Sequence, residues 1–116
     1  MIVTHETIRA IALSLPEAEE HPHFDRASFR VRGKIFATLP MAEDGRELVV
    51  LRLPVLVKES LHETDAGAIV SLGNWDTGGW TQLDIGRMDT DKLADLIRLA
   101  WRGVAPRRLI AAGEQA

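Results

Sequence analysis

The chain has 116 residues, of which 46% are hydrophobic, and its formal net charge at pH 7 is −3. This length suits a single domain with its own core, and this hydrophobic content excludes an intrinsically disordered chain. The absence of cysteine excludes disulfides, thiolate metal sites and cysteine nucleophiles.

The N-terminal segment lacks the basic leader of a signal peptide, and no stretch of the chain approaches the ~20 apolar residues of a transmembrane helix. We therefore expect a cytoplasmic protein without membrane contact. Thr4 is a suitable N-cap for a first helix, and Pro16 ends that helix. Its apolar residues follow helical spacing: Ile8, Ile11, Ala12 and Leu15. The segment "PEAEEHPHFD", residues 16–25, is predicted to be a polar connection.

Alternating apolar and basic residues predict a β-hairpin over residues 27–39, with its turn at Arg32-Gly33. In this register Phe29 lies opposite Phe36 on one face. The other face then carries Arg26, Ser28 and Arg30 beside Ile35, Ala37 and Leu39. Two interpretations fit the basic residues. They form either a wing whose arginines match DNA phosphates or guanines, or a solvated sheet face whose charges discourage aggregation.

Pro40 and "EDGRE" predict a further turn with Asp44-Gly45 at its tip, before a third strand over residues 48–53. Pro54 begins a short helix that extends to about His62. The apolar part of this helix is predicted to be Val55, Leu56 and Leu61.

Residues 68–85 predict a second hairpin, whose strands are joined by the glycine-rich loop "GNWDTGG". Trp80 begins an alternating strand and is predicted to lie in the core. Trp75, next to Asn74, lies in the polar loop, where packing explains a tryptophan less readily. Three roles remain open for it: stacking on a base, filling a partner's pocket, or folding back over the sheet.

Asp89 or Thr90 caps an amphipathic helix near the C-terminus. Its apolar stripe comprises Leu93, Leu96, Ile97, Ala100, Trp101 and Val104. Pro106 begins one more short helix, which carries Arg107 and Arg108. Acidic residues at the start of the longer helix and basic residues at its end complement the helix dipole, which indicates a solvated outer face.

The resulting order is α-β-β-β-α-β-β-α-α. Hairpins rather than βαβ units predict a single α+β domain over residues 1–116, with an antiparallel sheet and helices packed on one face. The predicted core comprises Phe29, Val31, Phe36, Val49, Leu51, Trp80, Leu93, Leu96, Ile97 and Trp101.

Motifs for catalysis are missing from the sequence. It has no nucleophile elbow, P-loop or dinucleotide fingerprint. His21 and His23 lie near acidic residues and are of a type that binds zinc or iron, but the intervening proline is typical of an ordinary turn. We therefore predict no catalytic residues, no metal, no cofactor and no enzymatic activity.

Four motifs, in this order over nearly the whole chain, resemble the MmcQ/YjbR-like family of small bacterial domains. They are "LSLPEAEEHPHF", "FRVRGKIFATL", "GGWTQLDI" and "LIRLAWRGVAPRRL". The resemblance implies a fold similar to the frataxin/CyaY group and DNA binding through two protruding hairpins, a double wing. It does not extend to frataxin-like iron binding, because the first helix offers only Glu6 where frataxin has an acidic ridge.

The leading functional prediction is therefore weak, salt-sensitive DNA binding. The predicted DNA-binding residues are Arg26, Arg30, Arg32, Lys34, Asn74 and Trp75. Glu17, Glu19 and Glu20 are close enough in sequence to neutralise some of these arginines. The alternative, which the net acidity favours, is a protein- or peptide-binding module that uses Trp75 and a sheet edge. An enzyme with an unrecognised small-molecule site ranks third.

Overall fold

The computed structural model describes residues 3–115, so Met1, Ile2 and Ala116 of the predicted domain lie outside the described residues. Residues 3–115 form a six-stranded antiparallel sheet and four α-helices. In chain order the elements are α1 His5–Leu13, β1 Glu19–His23, β2 Arg26–Val31, β3 Lys34–Leu39, β4 Leu48–Arg52, α2 Val55–Thr64, β5 Ile69–Val70, β6 Trp80–Asp84, α3 Thr90–Arg102 and α4 Arg107–Gln115.

The strands follow the order β1-β2-β3-β4-β6-β5 across the sheet. One hydrophobic core joins a single face of the sheet to side chains from all four helices, namely Ile8 and Ala12 of α1, Leu61 of α2, the stripe of α3 and Leu109 of α4. Helix α3 lies over β3 and β4 and contacts α1. The predicted α+β fold class is therefore confirmed.

The prediction of a polar connection over residues 16–25 is wrong, because Glu19–His23 forms strand β1. This strand pairs with β2 at the edge of the sheet, and its first four residues are exposed. An edge strand that is polar on both faces has no hydrophobic alternation for sequence reasoning to detect. Pro22 is tolerated here because an edge strand leaves half of its backbone groups unpaired.

The predicted pairing of Phe29 with Phe36 is also wrong. Phe29 pairs with Ala37 and Arg30 pairs with Ile35, so Phe36 is an additional residue in a β-bulge. The bulge shifts the side-chain alternation of β3, and Ala37 and Leu39 consequently point into the core instead of lying beside the arginines. Both phenylalanines remain fully buried.

The predicted core is confirmed except at one position. Trp80 is only half-buried, and it pairs with the exposed Arg52 on the face away from the helices. In helix α2, Leu61 is buried as predicted, but Val55 and Leu56 are exposed and Lys58 is buried instead. The buried lysine contacts the loop of residues 71–79.

Candidate nucleic-acid interface

The strand register shows which loops lie at the same end of the sheet. Leu51 pairs with Ala37, and Arg52 pairs with Trp80. The start of β3, the end of β4 and the start of β6 therefore lie at one end. The β2–β3 turn and the loop of residues 71–79 both extend from it. Three strand spacings separate these two loops, which corresponds to about 14 Å.

The β2–β3 turn has an unusual backbone. Arg32 has a φ of 52° and Gly33 a φ of 81°, and two successive positive φ angles characterise a type I′ turn. Glycine adopts this conformation readily, whereas arginine in it costs roughly 1 kcal/mol. The strained arginine is exposed, as is Lys34, which forms no ion pair with any residue that the structure describes.

The loop of residues 71–79 is fixed at its base. Leu53 donates a backbone hydrogen bond to the carbonyl of Gly79 at 2.8 Å. A Cβ atom on Gly79 would lie 2.0 Å from the Leu53 carbonyl oxygen, so only glycine fits this approach. At the tip of the loop Trp75 is 79% exposed, which excludes the expectation that it folds back over the sheet.

Lys58 is a second anchor for this loop, and sequence reasoning missed it. Its Nζ donates to Asp76 Oδ1 at 2.8 Å and to the Trp80 carbonyl at 2.7 Å. Strand β5 pairs with Gln82 and Leu83 of β6 and ends before Trp80. The Trp80 carbonyl therefore accepts its hydrogen bond from Lys58 and not from a neighbouring strand. The sequence gives little signal for this role beyond a lysine one helical turn from the buried Leu61.

The C-terminal end of α3 and the N-terminal end of α4 lie at the same end of the sheet. Arg102, in the last turn of α3, lines a shallow cleft together with Arg52 and Pro54. Trp101 Nε1 donates to the Pro16 carbonyl at 2.9 Å, which fixes the segment that carries Glu17. Glu17 in turn lies 3.5 Å from Arg32 and 3.7 Å from Arg108, measured between its carboxylate oxygens and the guanidinium nitrogens.

We call this region the basic end and define it as residues 15–18, 32–34, 52–54, 71–79 and 102–108. The basic residues in these segments are Arg32, Lys34, Arg52, Arg102, Arg107 and Arg108, all of them exposed. The acidic residues in these segments are Glu17 and Asp76. Asp76 is already paired with Lys58. The basic end is therefore strongly positive although the chain as a whole is negative.

The opposite end of the sheet has the reverse charge. We call residues 24–26, 41–47 and 84–92 the acidic end. The backbone bond from Ile85 to the Glu47 carbonyl joins two of these segments at 3.3 Å. Its acidic residues are Asp25, Glu43, Asp44, Glu47, Asp84, Asp89 and Asp91, against four basic residues. Arg46 contacts both Asp44 and the buried Asp84, and hydrogen bonds from Arg46 hold the pKa of Asp44 below its usual value.

The predicted DNA-binding residues divide between these regions. Arg32 and Lys34 lie on the β2–β3 turn and Asn74 and Trp75 on the loop of residues 71–79, both at the basic end. Arg30 lies on the sheet face without helices, where its Nε donates to Ser28 Oγ at 3.0 Å. Arg26 lies at the acidic end, about 20 Å along β2 from Arg32. It pairs with Asp25 at 3.2 Å. Arg52 and Arg102 were missed because their proximity to the loops exists only in the folded chain.

The expected neutralisation by glutamates is partial. Glu17 contacts Arg32, whereas Glu20 forms a two-pronged pair with Arg9 of α1 and Glu19 lies 3.2 Å from His21. Within residues 3–115, no three His, Cys, Asp or Glu side chains are grouped as a metal site. Over the same residues, no helix has the length and apolar character needed to cross a membrane.

Comparison with known proteins agrees with this architecture. The family model YjbR matches residues 13–103. No curated protein matches the sequence significantly. The fold is similar to the crystal structure of Deinococcus radiodurans protein DR2400, a DUF419 domain, with a TM-score of 0.76 at 18% identity over 98% of this chain and 87% of that one. The family match covers both loops, α2 and α3 and ends before Arg107 and Arg108 of α4. The chain belongs to the YjbR family.

Proposed function

We propose that this chain is a non-enzymatic DNA-binding domain that contacts the duplex backbone with its basic end. One observation carries the proposal: the β2–β3 turn, the end of β4 and the junction of α3 with α4, far apart in sequence, bring six exposed basic side chains to one end of the sheet. Arginine guanidinium groups match phosphate geometry, and phosphate contacts provide most of the affinity of non-specific DNA binding.

The spacing of the two loops supports a duplex as the ligand. Their separation of about 14 Å, from strand spacing, is comparable to the major groove width of about 12 Å. Arg32 and Lys34 on one loop would contact phosphates on one side of a groove. Asn74 and Trp75 on the other loop would approach the opposite side, where an exposed tryptophan also stacks on unpaired bases.

A titration of a labelled DNA duplex at two salt concentrations tests this function. If four of the six basic side chains contact phosphates, the log–log salt slope is about −3.6 and the Kd at physiological salt is about 10⁻⁴–10⁻⁶ M. Replacing Arg32 and Lys34 together by glutamine should make this slope shallower by about two. The matched control replaces Arg26 and Arg87 by glutamine, which removes the same charge from the acidic end.

The control should retain the wild-type slope, because its two arginines lie at the other end of the sheet. If both double variants change the slope equally, the basic end has no special role. If the wild-type protein does not bind duplex at about 50 mM salt, where phosphate contacts are strongest, the proposal is wrong.

Protein or peptide binding is the second candidate function, and exposed apolar side chains near the same loop favour it. Trp75 and Leu56 are each 79% exposed and Val55 is 51% exposed. Lys58, one turn beyond Val55 in α2, contacts the loop that carries Trp75. The sheet edges offer less, because Pro22 interrupts β1 and β5 has two residues. Loss of a captured protein in Trp75→Ala, with unchanged DNA binding, would favour this second function.

A further inference from the structure

A single carboxylate bridges two arginines at the basic end. Glu17 Oε1 lies 3.5 Å from Arg32 Nε, and Glu17 Oε2 lies 3.7 Å from a terminal nitrogen of Arg108. These arginines belong to different elements, the β2–β3 turn and the first turn of α4. The two oxygens of the carboxylate thus contact separate guanidinium groups that the fold has brought together.

A backbone phosphate of DNA could make the same contacts. Its two non-bridging oxygens carry one negative charge, and guanidinium groups bind phosphate and carboxylate oxygens with the same geometry. The three side chains are accessible to such a ligand, since they are 50%, 67% and 45% exposed for Arg32, Arg108 and Glu17. Ion pairs this exposed contribute little to stability, so replacing the carboxylate by a phosphate has a small cost.

The backbone around these pairs is unusual on both sides. Glu17 has a φ of 55° and Arg32 a φ of 52°, two of the three described non-glycine residues with positive φ. Strained backbone of this kind persists where the surrounding structure holds it, and it concentrates at binding sites. Here the Trp101–Pro16 hydrogen bond holds one strained residue, and the type I′ turn holds the other.

We propose that Arg32 and Arg108 form one phosphate-binding site for the nucleic-acid backbone, and that Glu17 occupies this site in the free protein. The inference rests on the proposed DNA-binding function and adds a regulator to it. Glu17 competes with phosphate for two arginines, so the protein binds DNA less tightly than its basic end would allow.

The variant Glu17→Gln tests this competition in a duplex titration. Without the Glu17 charge, one more arginine charge at this site is available to neutralise a phosphate. The log–log salt slope should therefore become steeper by about 0.9. If the variant and wild type bind equally at about 1 M salt, this slope difference corresponds to roughly 5-fold tighter binding at about 150 mM and roughly 15-fold at about 50 mM. Glu17→Asn should give the same gain, because asparagine tolerates the left-handed backbone and keeps the segment folded.

The control is Glu6→Gln, which changes the overall charge equally. Glu6 lies in the first turn of α1, and the neighbouring His5 backbone N–H donates to Glu47 of the acidic end at 2.9 Å. This control should bind within about twofold of wild type, since charges beyond a Debye length are screened. In the double variant Glu17→Gln/Arg108→Gln the gain should disappear, because the phosphate site then lacks one arginine.

The outcomes separate this inference from the proposed function. If wild type binds DNA and the Arg32/Lys34 variant weakens binding, but Glu17→Gln matches Glu6→Gln, the phosphate site is overturned while DNA binding stands. If Glu17→Gln weakens binding, Glu17 supports the site instead of competing for it. If neither wild type nor Glu17→Gln binds duplex at about 50 mM salt, both proposals are wrong.

Discussion

The basic side chains at the two ends of the sheet differ in whether they form ion pairs. At the acidic end Arg26, Arg46 and Arg87 each contact a carboxylate. At the basic end Lys34, Arg52 and Arg107 form no ion pair with any residue the structure describes. All three arginines of the acidic end are therefore paired with carboxylates, whereas the basic end has three basic side chains without such a partner in the described chain, beside Arg32 and Arg108, which share Glu17.

This difference shows that net charge is a poor guide to the partners of a small domain. The net charge of −3 argues against DNA binding only if all charges act together. The molecule extends 38 × 32 × 29 Å, whereas the Debye length at physiological ionic strength is about 8 Å. A phosphate at the basic end is thus screened from most of the carboxylates at the acidic end.

The two ends keep their separation only if the sheet between them is rigid, and Phe36 is the side chain whose loss should weaken that sheet most. It is fully buried at the bulge of β3. Phe36→Ala should lower the free energy of unfolding by about 3–5 kcal/mol, measured by urea denaturation. The control Ile35→Ala, at a half-buried position on the other face, should cost about 1 kcal/mol. Equal losses in the two variants would contradict the assigned core.

A smaller effect is expected at Lys58, which anchors the loop of Trp75. Lys58→Met should cost about 2 kcal/mol, because it leaves the Trp80 carbonyl and Asp76 without their charged donor. Amide hydrogen exchange within residues 71–79 should accelerate. Lys34→Met, which removes an exposed lysine from the same end, should change stability by less than about 0.5 kcal/mol. If the two variants have equal stability, Lys58 is not an anchor.

Arg32 should show opposite effects on stability and on binding. Arg32→Asn creates the Asn-Gly pair that type I′ turns favour and should raise the free energy of unfolding by about 0.5–1 kcal/mol. The same change should weaken DNA binding, since it removes a guanidinium group that contacts phosphate. Arg32→Gln should weaken binding equally without the gain in stability. Loss of stability in Arg32→Asn would show that the arginine is retained for folding.

The smallest expected effect is on how stability depends on pH, and it differs between Lys92 of the acidic end and Lys34 of the basic end. The hydrogen bond from Lys92, followed by that from Thr64, lowers the pKa of Asp65. A lowered folded-state pKa gives stability that is present above the unfolded value of about 3.9 and is lost as pH falls through the folded value. Lys92→Gln should therefore lose less stability on acidification than wild type. Lys34→Gln should follow the wild-type acid curve, because Lys34 has no described ion-pair partner.

The sequence was sufficient to predict the features set by local periodicity and turn chemistry. The stripe of α3, a helix cap at Asp89 or Thr90, the Arg32-Gly33 turn and the α+β class all follow from residue spacing and turn chemistry. The structure contains each of them, with Asp89 as the cap. The cap is direct, since the Asp89 carboxylate accepts from the Lys92 backbone at 3.1 Å.

Features that depend on pairing across the fold could not be predicted. Strand β1 is polar throughout, so only its backbone pairing with β2 defines it. The bulge at Phe36 changes which face Ala37 and Leu39 occupy without any local signal. The candidate site was half predicted: the two loops carry recognisable glycine and arginine patterns, but Arg52, Arg102 and Arg108 join them through tertiary contacts alone.

The most direct test of the central claim is a map of backbone amide chemical-shift changes when a DNA duplex is added to the ¹⁵N-labelled protein. We expect the perturbed amides to cluster at residues 32–34, 52–53, 71–79 and 102–108, while residues 41–47 and 84–92 remain unchanged. Perturbations concentrated at residues 24–26 and 41–47, or spread evenly over both ends, would contradict the assignment of the basic end as the DNA-binding surface.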